Sequence, residues 1–331
     1  MRIALLGVGR LGAAHAATLA GLDGVSELRV YDADVARARE VAGPIGARAA
    51  DSIEDTLNGA DAAVIVTPTP THATLIRRCL DLGIATFCEK PIALSLEDTR
   101  AIVDRCARVN GRLQIGFQRR FDAGYRAARE RIVRGDVGDV YSFYMVSRDA
   151  LPPLDAYVET SGGQFRDQLI HDFDITRWLF GSEVEDVYAT GSRRNFPQYA
   201  AFDDVATSAV ILRLADGSVG LVSGARHNPA GYDIRVEIYG SKDSIAIGLD
   251  PRAPIHSVEA DMPPFAGPAY PSFFVRFGAA YRDELAHFLL FATGGADNPC
   301  DGSAALEALR IAEAAARSSH EGRPVRLSEI P

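Results

Sequence analysis

The chain is short of several things, and each shortage narrows what it can be. No stretch approaches the ~18 to 20 apolar residues of a membrane span, so a membrane is not an expected partner. Cationic residues do not outnumber acids: 35 Lys and Arg stand against 44 Asp and Glu, a net charge of −9. Phosphate backbones and anionic surfaces bind through clustered Lys and Arg, which removes nucleic acid from the expected partners. Cysteine is scarce, and Cys79, Cys88, Cys106 and Cys300 include no CxxC pair. Three of them lie in apolar-periodic segments, so free thiols in a reducing compartment are expected. The apolar start at 3–6 turns at Gly7, too short for a signal-peptide core, and a cytoplasmic location is the expectation. Internal repeats and low-complexity tracts are also missing.

What is present fits an ordinary globular chain: 47% of residues are apolar and 24% charged, enough burial to offset chain entropy. At 331 residues the length suits two domains rather than one core. Up to about residue 120, short apolar runs at 3–6, 27–31, 62–66, 84–88 and 113–116 alternate with helical periods at 11–22, 35–42, 71–82 and 96–109. That grammar predicts βαβ units and a doubly wound parallel sheet, with the loops after the strands forming a ligand edge. After a helix near 124–134 the strands follow one another, at 140–147, 184–190, 207–214, 219–225, 234–239 and 244–247. Turn signals at Asp216-Gly217 and Gly240-Ser241-Lys242 join two of the pairs. Residues 1–120 are therefore expected to form an α/β domain, and 121–331 an α+β domain with a large, mostly antiparallel open sheet. The six prolines of 251–271 read as an irregular loop, and helices follow at 273–291 and 304–317.

Gly7-Val8-Gly9-Arg10-Leu11-Gly12 matches GxGxxG between a strand and a helix, and Asp32 closes the next strand. Gly7 suits the tight turn, Gly9 a close approach to pyrophosphate, and Gly12 helix–strand packing, with the positive helix end aimed at the phosphates. Asp32 would accept ribose hydroxyls and repel a 2′-phosphate, so NAD is the expected cofactor in a Rossmann domain. Arg37 and Arg39 read as a solvated face. Thr67, Pro68 and His72 lie in a loop at the ligand edge that suits the nicotinamide side; the alternative is a rigid turn with Thr71 as N-cap. Glu89-Lys90-Pro91 follows the strand at 84–88, which places Lys90 where a nicotinamide ring ends. The Lys90–Pro91 bond is open to either isomer.

In 162–179, Phe165, Leu169, Phe173 and Leu179 recur at helical spacing, and Asp167, His171 and Asp174 fall at i, i+4 and i+7 on an adjacent face. Carboxylates one turn away can set a histidine's tautomer and basicity. His171 is thus the candidate base, Asp167 its orienter, and Lys90 the stabiliser of the developing oxyanion. Asp and His at this spacing can also bind a metal, though no HExxH-like context supports one and none is expected. A structural role for the three is the other alternative.

Together with TPTPTH at 67–72, GFQRRFDAGY at 116–125, SRD at 147–149, IHDFD at 170–174 and GYDIRVEIYGS at 231–241, these motifs resemble the Gfo/Idh/MocA family of sugar and polyol dehydrogenases. The resemblance covers nearly the whole chain. It implies that Lys90, Asp167 and His171 are catalytic, that Arg119, Asp149, Tyr232 and Tyr281 line an inositol-like substrate, and that a dimer or tetramer forms through the outer face of the second sheet. Gln118 stands where inositol-oxidising members often carry an apolar residue, and it joins the substrate-site candidates. The expected small-molecule partner is a cyclic polyol, with an aldose, a keto- or amino-inositol, or NAD-dependent glycoside hydrolysis as alternatives on the same fold.

Overall fold

The computed structural model describes residues 1–259 and 267–331, so 260–266 of the irregular 251–271 loop lie outside the described residues. The chain divides into two compact units, Met1–Gln118 with Ala279–Leu306, and Arg119–Gly278 with Glu307–Pro331.

In the first unit β1 (Arg2–Leu6), α1 (Arg10–Ala20), β2 (Glu27–Tyr31), α2 (Val35–Ala42), β3 (Arg48–Ala49), α3 (Ile53–Leu57), β4 (Ala62–Ile65), α4 (His72–Asp81), β5 (Ala85–Glu89), α5 (Leu96–Arg108) and β6 (Leu113–Gly116) follow in order. Their six strands form a parallel sheet in the order β3-β2-β1-β4-β5-β6, so the order reverses between β1 and β4. β4 and β5 are buried along their whole length, as strands covered on both faces must be. β3, two residues long, is too short to leave a periodic signal.

The second unit begins with α6 (Ala123–Val133), capped by Asp122, whose carboxylate accepts the Gly124 and Tyr125 N–H groups. β7 (Val140–Arg148), α7 (Asp155–Ser161), α8 (Gln164–Asp167), α9 (Ile170–Phe180), β8 (Val184–Ser192), β9 (Thr207–Leu214), β10 (Val219–Ala225), β11 (Asp233–Gly240) and β12 (Ser244–Ile247) come next. Two long helices, α10 (Phe273–Ala292) and α11 (Gly302–Glu321), precede the short β13 (Val325–Arg326). Seven strands make one sheet in the order β12-β11-β7-β10-β9-β8-β13. Among the described residues all of its pairs are antiparallel except β7 with β10. β9 alternates exposed and buried positions, the pattern of a sheet with one face on a core.

Residues 279–306 follow β12 in sequence and pack with the first unit. Leu285, Phe288, Leu289 and Ala292 of α10 join the cluster of Leu5, Val30, Val64 and Phe87, and the rings of Phe87 and Phe288 lie 5.7 Å apart. Helical periodicity shows that α10 has an apolar stripe; it does not say which sheet the stripe covers.

Candidate active site

The glycines of the first turn are there for lack of room. Gly7 has φ of +91°, and a Cβ on it would stand 2.7 Å from the Val66 carbonyl oxygen; one on Gly12 would stand 2.1 Å from the Gly7 oxygen. Gly9 faces open space and caps α1 without a side chain, and no acid occupies the helix's first turn. Backbone N–H groups at this end, opened by Arg10 and Leu11, are thus presented to an anion. The Asp32 carboxylate accepts the Val8 N–H at 2.8 Å and the Asp34 N–H at 2.9 Å, which ties the turn to the end of β2. These residues fit a dinucleotide. Arg37 and Arg39 are exposed and lie 3.6 and 3.9 Å from Asp34 and Asp51, a solvated face.

Beyond β4, the Thr71 hydroxyl bonds to the Thr67 hydroxyl at 2.6 Å and to the Pro68 carbonyl at 2.8 Å. His72 is turned inward and buried, with Nδ1 2.7 Å from the Pro91 carbonyl and Nε2 2.7 Å from the Thr67 carbonyl. Its ring joins the loops after β4 and β5 and is not presented to a ligand. Burial pushes its pKa below the ordinary histidine value, against the pull of the two carbonyls. The Glu89 side chain is also interior, 2.8 Å from His15 Nε2, and Tyr281 packs its ring 5.5 Å from that of His15. Tyr281 therefore belongs to the first unit, whereas the sequence suggested the second. The Lys90–Pro91 bond is cis, and Lys90 is partly exposed. Gln118, at the unit's last position, is buried.

In the second unit the helix expected within 162–179 is broken into α8 and α9. The Leu169 N–H reaches back five residues to the Gln164 carbonyl at 3.0 Å, a widened turn of the kind found at functional sites. Gly163, with φ of +88°, starts α8, and the Asp204 carboxylate accepts the Gln164 N–H at 2.7 Å. Asp167 ends α8; its Oδ1 accepts the Tyr157 hydroxyl at 2.7 Å and its Oδ2 lies 3.4 Å from Arg226 Nη1. On α9, His171 is partly exposed while 172–176 are buried. Asp174 does not flank His171 as an open carboxylate. It is buried and accepts Arg120 Nε at 2.9 Å.

Arg119 is 3% exposed and is held by Asp172 at 2.6 Å and by the Ser147 hydroxyl at 3.0 Å. Removing one partner of such a pair costs about 3–5 kcal/mol, so this guanidinium is first a structural element. Asp149 is partly exposed, and its Oδ2 accepts the Gln168 amide at 2.9 Å. Tyr232 is buried, its hydroxyl pKa raised by that burial, and its N–H bonds to the Tyr270 carbonyl at 2.8 Å. Among the described residues no group of three or more His, Cys, Asp or Glu side chains could hold a metal ion.

Two family models divide the chain much as its sheets do. The oxidoreductase family's NAD-binding Rossmann fold matches residues 1–117, and the same family's C-terminal alpha/beta domain matches 129–327. The chain belongs to the Gfo/Idh/MocA oxidoreductase family. An inositol 2-dehydrogenase of Rhizobium meliloti is 38% identical over 99% of each chain. A myo-inositol dehydrogenase structure from Corynebacterium glutamicum aligns with a TM-score of 0.89 at 34% identity, covering 99% of this chain and 98% of that one. A scyllo-inositol dehydrogenase from Lactobacillus casei, solved with NAD(H) and scyllo-inositol, aligns at 0.90 with 26% identity over 99% of each chain. NAD is thus the cofactor of this oxidoreductase, and its first unit is the NAD-binding one.

Sequence reasoning missed His15, which holds Glu89, Tyr157 and Arg226, which hold Asp167, and Asp204, which pairs with Arg226. His15 stands one turn beyond the glycine fingerprint on the inner side of α1, a readable position. Arg226 lies 59 residues from Asp167, and no spacing rule links them. The buried ring of His72 gives a pH test. Its pKa in the fold is below the ordinary 6.5, so as pH falls below about 6.5 the unfolded chain binds a proton first and stability declines. The urea midpoint should drop more between about pH 8 and pH 5.5 for the wild type than for His72→Gln. Equal drops would remove His72 as a source of acid sensitivity.

Proposed function

We propose that this oxidoreductase converts a secondary ring hydroxyl of an inositol to a ketone, myo-inositol to the 2-keto inosose, working in the cytoplasm. The observation that carries the reading is a lysine at the end of β5 together with a secured aspartate and a partly exposed histidine at the α8–α9 turn, in a chain with inositol dehydrogenases among its relatives. Bound NAD supplies the hydride acceptor. His171 takes the hydroxyl proton as the carbon–hydrogen bond breaks, and its exposure within a buried helix keeps the imidazole reachable. Asp167 orients that ring and favours its protonated form. The Lys90 ammonium donates to the reacting oxygen and stabilises the charge that develops there.

The chain's use of cations supports a specific role for Lys90. Of 35 Lys and Arg, 33 are arginine, and Lys90 and Lys242 are the two lysines. A compact ammonium at this position, in a chain whose cations are otherwise guanidinium at all but Lys242, suits a single oxygen better than a planar carboxylate. Asp149 accepts ring hydroxyls, and Gln118, Arg119, Tyr232 and Tyr281 shape and support the substrate's surroundings. Each hydroxyl so satisfied discriminates against analogues lacking it. Thr67, Pro68 and the Glu89-Lys90 turn flank the nicotinamide, while Gly7 to Gly12 and Asp32 hold the pyrophosphate and the ribose.

A homo-oligomer, dimer or tetramer, forms through the open face of the second sheet. Tyr188, Ile211 and Leu221 are exposed there and stand side by side across β8, β9 and β10, an apolar row that a second copy would cover. The four cysteines are free thiols, as a reducing compartment would keep them.

NADH formation with NAD and a panel of myo-, scyllo- and chiro-inositol, glucose, xylose and galactose should show turnover on an inositol, little with NADP, and a loss of at least about a hundredfold in kcat for His171→Ala. No turnover on any of these polyols would remove the reading. Sedimentation of Leu221→Glu should show a smaller species than the wild type; identical species would place the oligomer interface elsewhere.

A further inference from the structure

Asp167, the carboxylate assigned to orient the base, is held from two sides by residues that the chemistry above does not use. Tyr157, on α7, donates its hydroxyl to Oδ1 at 2.7 Å. Arg226, directly after β10, places Nη1 3.4 Å from Oδ2 and Nη2 2.7 Å from Oδ2 of Asp204. Arg226 is 1% exposed and, among the described residues, heads the fully buried side chains by volume. Its backbone N–H is bonded to the Ala206 carbonyl at 2.8 Å, so the guanidinium is fixed at its root. Asp204 is fixed as well, since its other oxygen accepts the N–H of Gln164 at the start of α8.

A cation enclosed this deeply needs a counter-charge, because an uncompensated buried ion costs several kcal/mol. Asp204, 3% exposed, already provides one. Two carboxylates nevertheless share the guanidinium, and Asp149 is close enough to act electrostatically on both Arg226 and Tyr157. Negative charge in excess favours protonation of one carboxylate. The most exposed member of the Asp204–Arg226–Asp167 chain is Asp167, at 13% of its side chain, and it is the one that also receives a hydroxyl donor. A hydrogen bond donated to the carboxylate favours the anion, so the arrangement counteracts the crowding at that residue. Tyr157 from α7 and Arg226 from the end of β10 contact Asp167; Asp204 from the segment before β9 acts on Arg226, Asp149 from the end of β7 acts on both Arg226 and Tyr157, and His171 follows on α9. Arg166, its neighbour on α8, is engaged by Glu313 at 2.5 and 2.7 Å.

Resting on the reading that Asp167 serves His171, we propose that Arg226 and Tyr157 are positioning residues that keep Asp167 ionised and aimed, Arg226 by charge and Tyr157 by direction. A neutral Asp167 would lose its hold on an imidazolium, so base strength at His171 depends on this pair. A purely structural Arg226 would instead be satisfied by Asp204 and leave the Asp167 titration unchanged.

The test uses the full chain as wild type, Tyr157→Phe, Arg226→Met and Arg226→Lys, with 13C carboxyl NMR titration of Asp167 assigned through Asp167→Asn. The acidic limb of kcat/KM for NADH formation is recorded alongside. The Asp167 titration should move up by about one to three units in Arg226→Met, by less in Tyr157→Phe, and return part of the way in Arg226→Lys. The acidic limb should follow, with KM for NAD changed less than about twofold, and neither substitution should move it further in the Asp167→Asn background. Tyr157 is half exposed, so Tyr157→Phe carries the test if Arg226→Met does not fold. An Asp167 titration unchanged in Tyr157→Phe and in any folded Arg226 variant would overturn the proposal, as would an equal shift of the limb in the Asp167→Asn background. The carboxyl titration needs no substrate: a shifted Asp167 with no polyol turnover would support the positioning pair and count against the reading it serves.

Discussion

Charge taken out of water has to meet its opposite, and that constraint organises the second unit of this oxidoreductase. Asp172 and Asp174 on α9 are both buried, and each is matched by one of the consecutive arginines Arg119 and Arg120. Those pairs secure α9 to the segment that leads into α6. They also leave His171 as the partly exposed position at the head of a buried run. Arg226 does the same for α8, through Asp204 at its start and Asp167 at its end. The proposed base and its orienter therefore stand on helices whose placement is set by buried ion pairs.

The first unit answers to a steric constraint. With Gly7 and Gly12 in place the backbone of α1 comes close to the end of β1 and to Val66, and an added methyl at either position would collide with a carbonyl oxygen. Asp32 bonds the same turn to β2. His72 links the loops after β4 and β5, while His15 holds Glu89 beside Lys90. The loops that carry the proposed nicotinamide contacts are thus fixed from beneath by two histidines.

Local pattern made much of this readable. β2, β6, β9, β10 and β12 begin and end where alternation and turn residues put them, and the glycine fingerprint pointed to the NAD-binding Rossmann fold that the family model matches. Features that depend on partners far along the chain were not readable. The pairing of Arg119 with Asp172 spans 53 residues, so a candidate substrate ligand turned out to be enclosed in an ion pair. Asp174 shares a helical face with His171 on paper, yet the break at Gln168–Leu169 and the pull of Arg120 put it to structural use. Tyr281 and the rest of 279–306 joined the first unit because an apolar stripe does not carry the address of the surface it covers. Family resemblance supplied the residues of the proposed chemistry by position; it did not supply Tyr157 or Arg226, which enter only through three-dimensional contact.

The most direct test of the account is the fate of the carbinol hydrogen. With myo-inositol deuterated at C2 and unlabelled NAD, mass spectrometry and NMR of the recovered NADH should show one deuterium at C4 of the nicotinamide, formed by the wild type and at least about a hundredfold more slowly by His171→Ala. NADH that forms without the label would contradict hydride transfer from that carbon, and with it the role assigned to Lys90, Asp167 and His171.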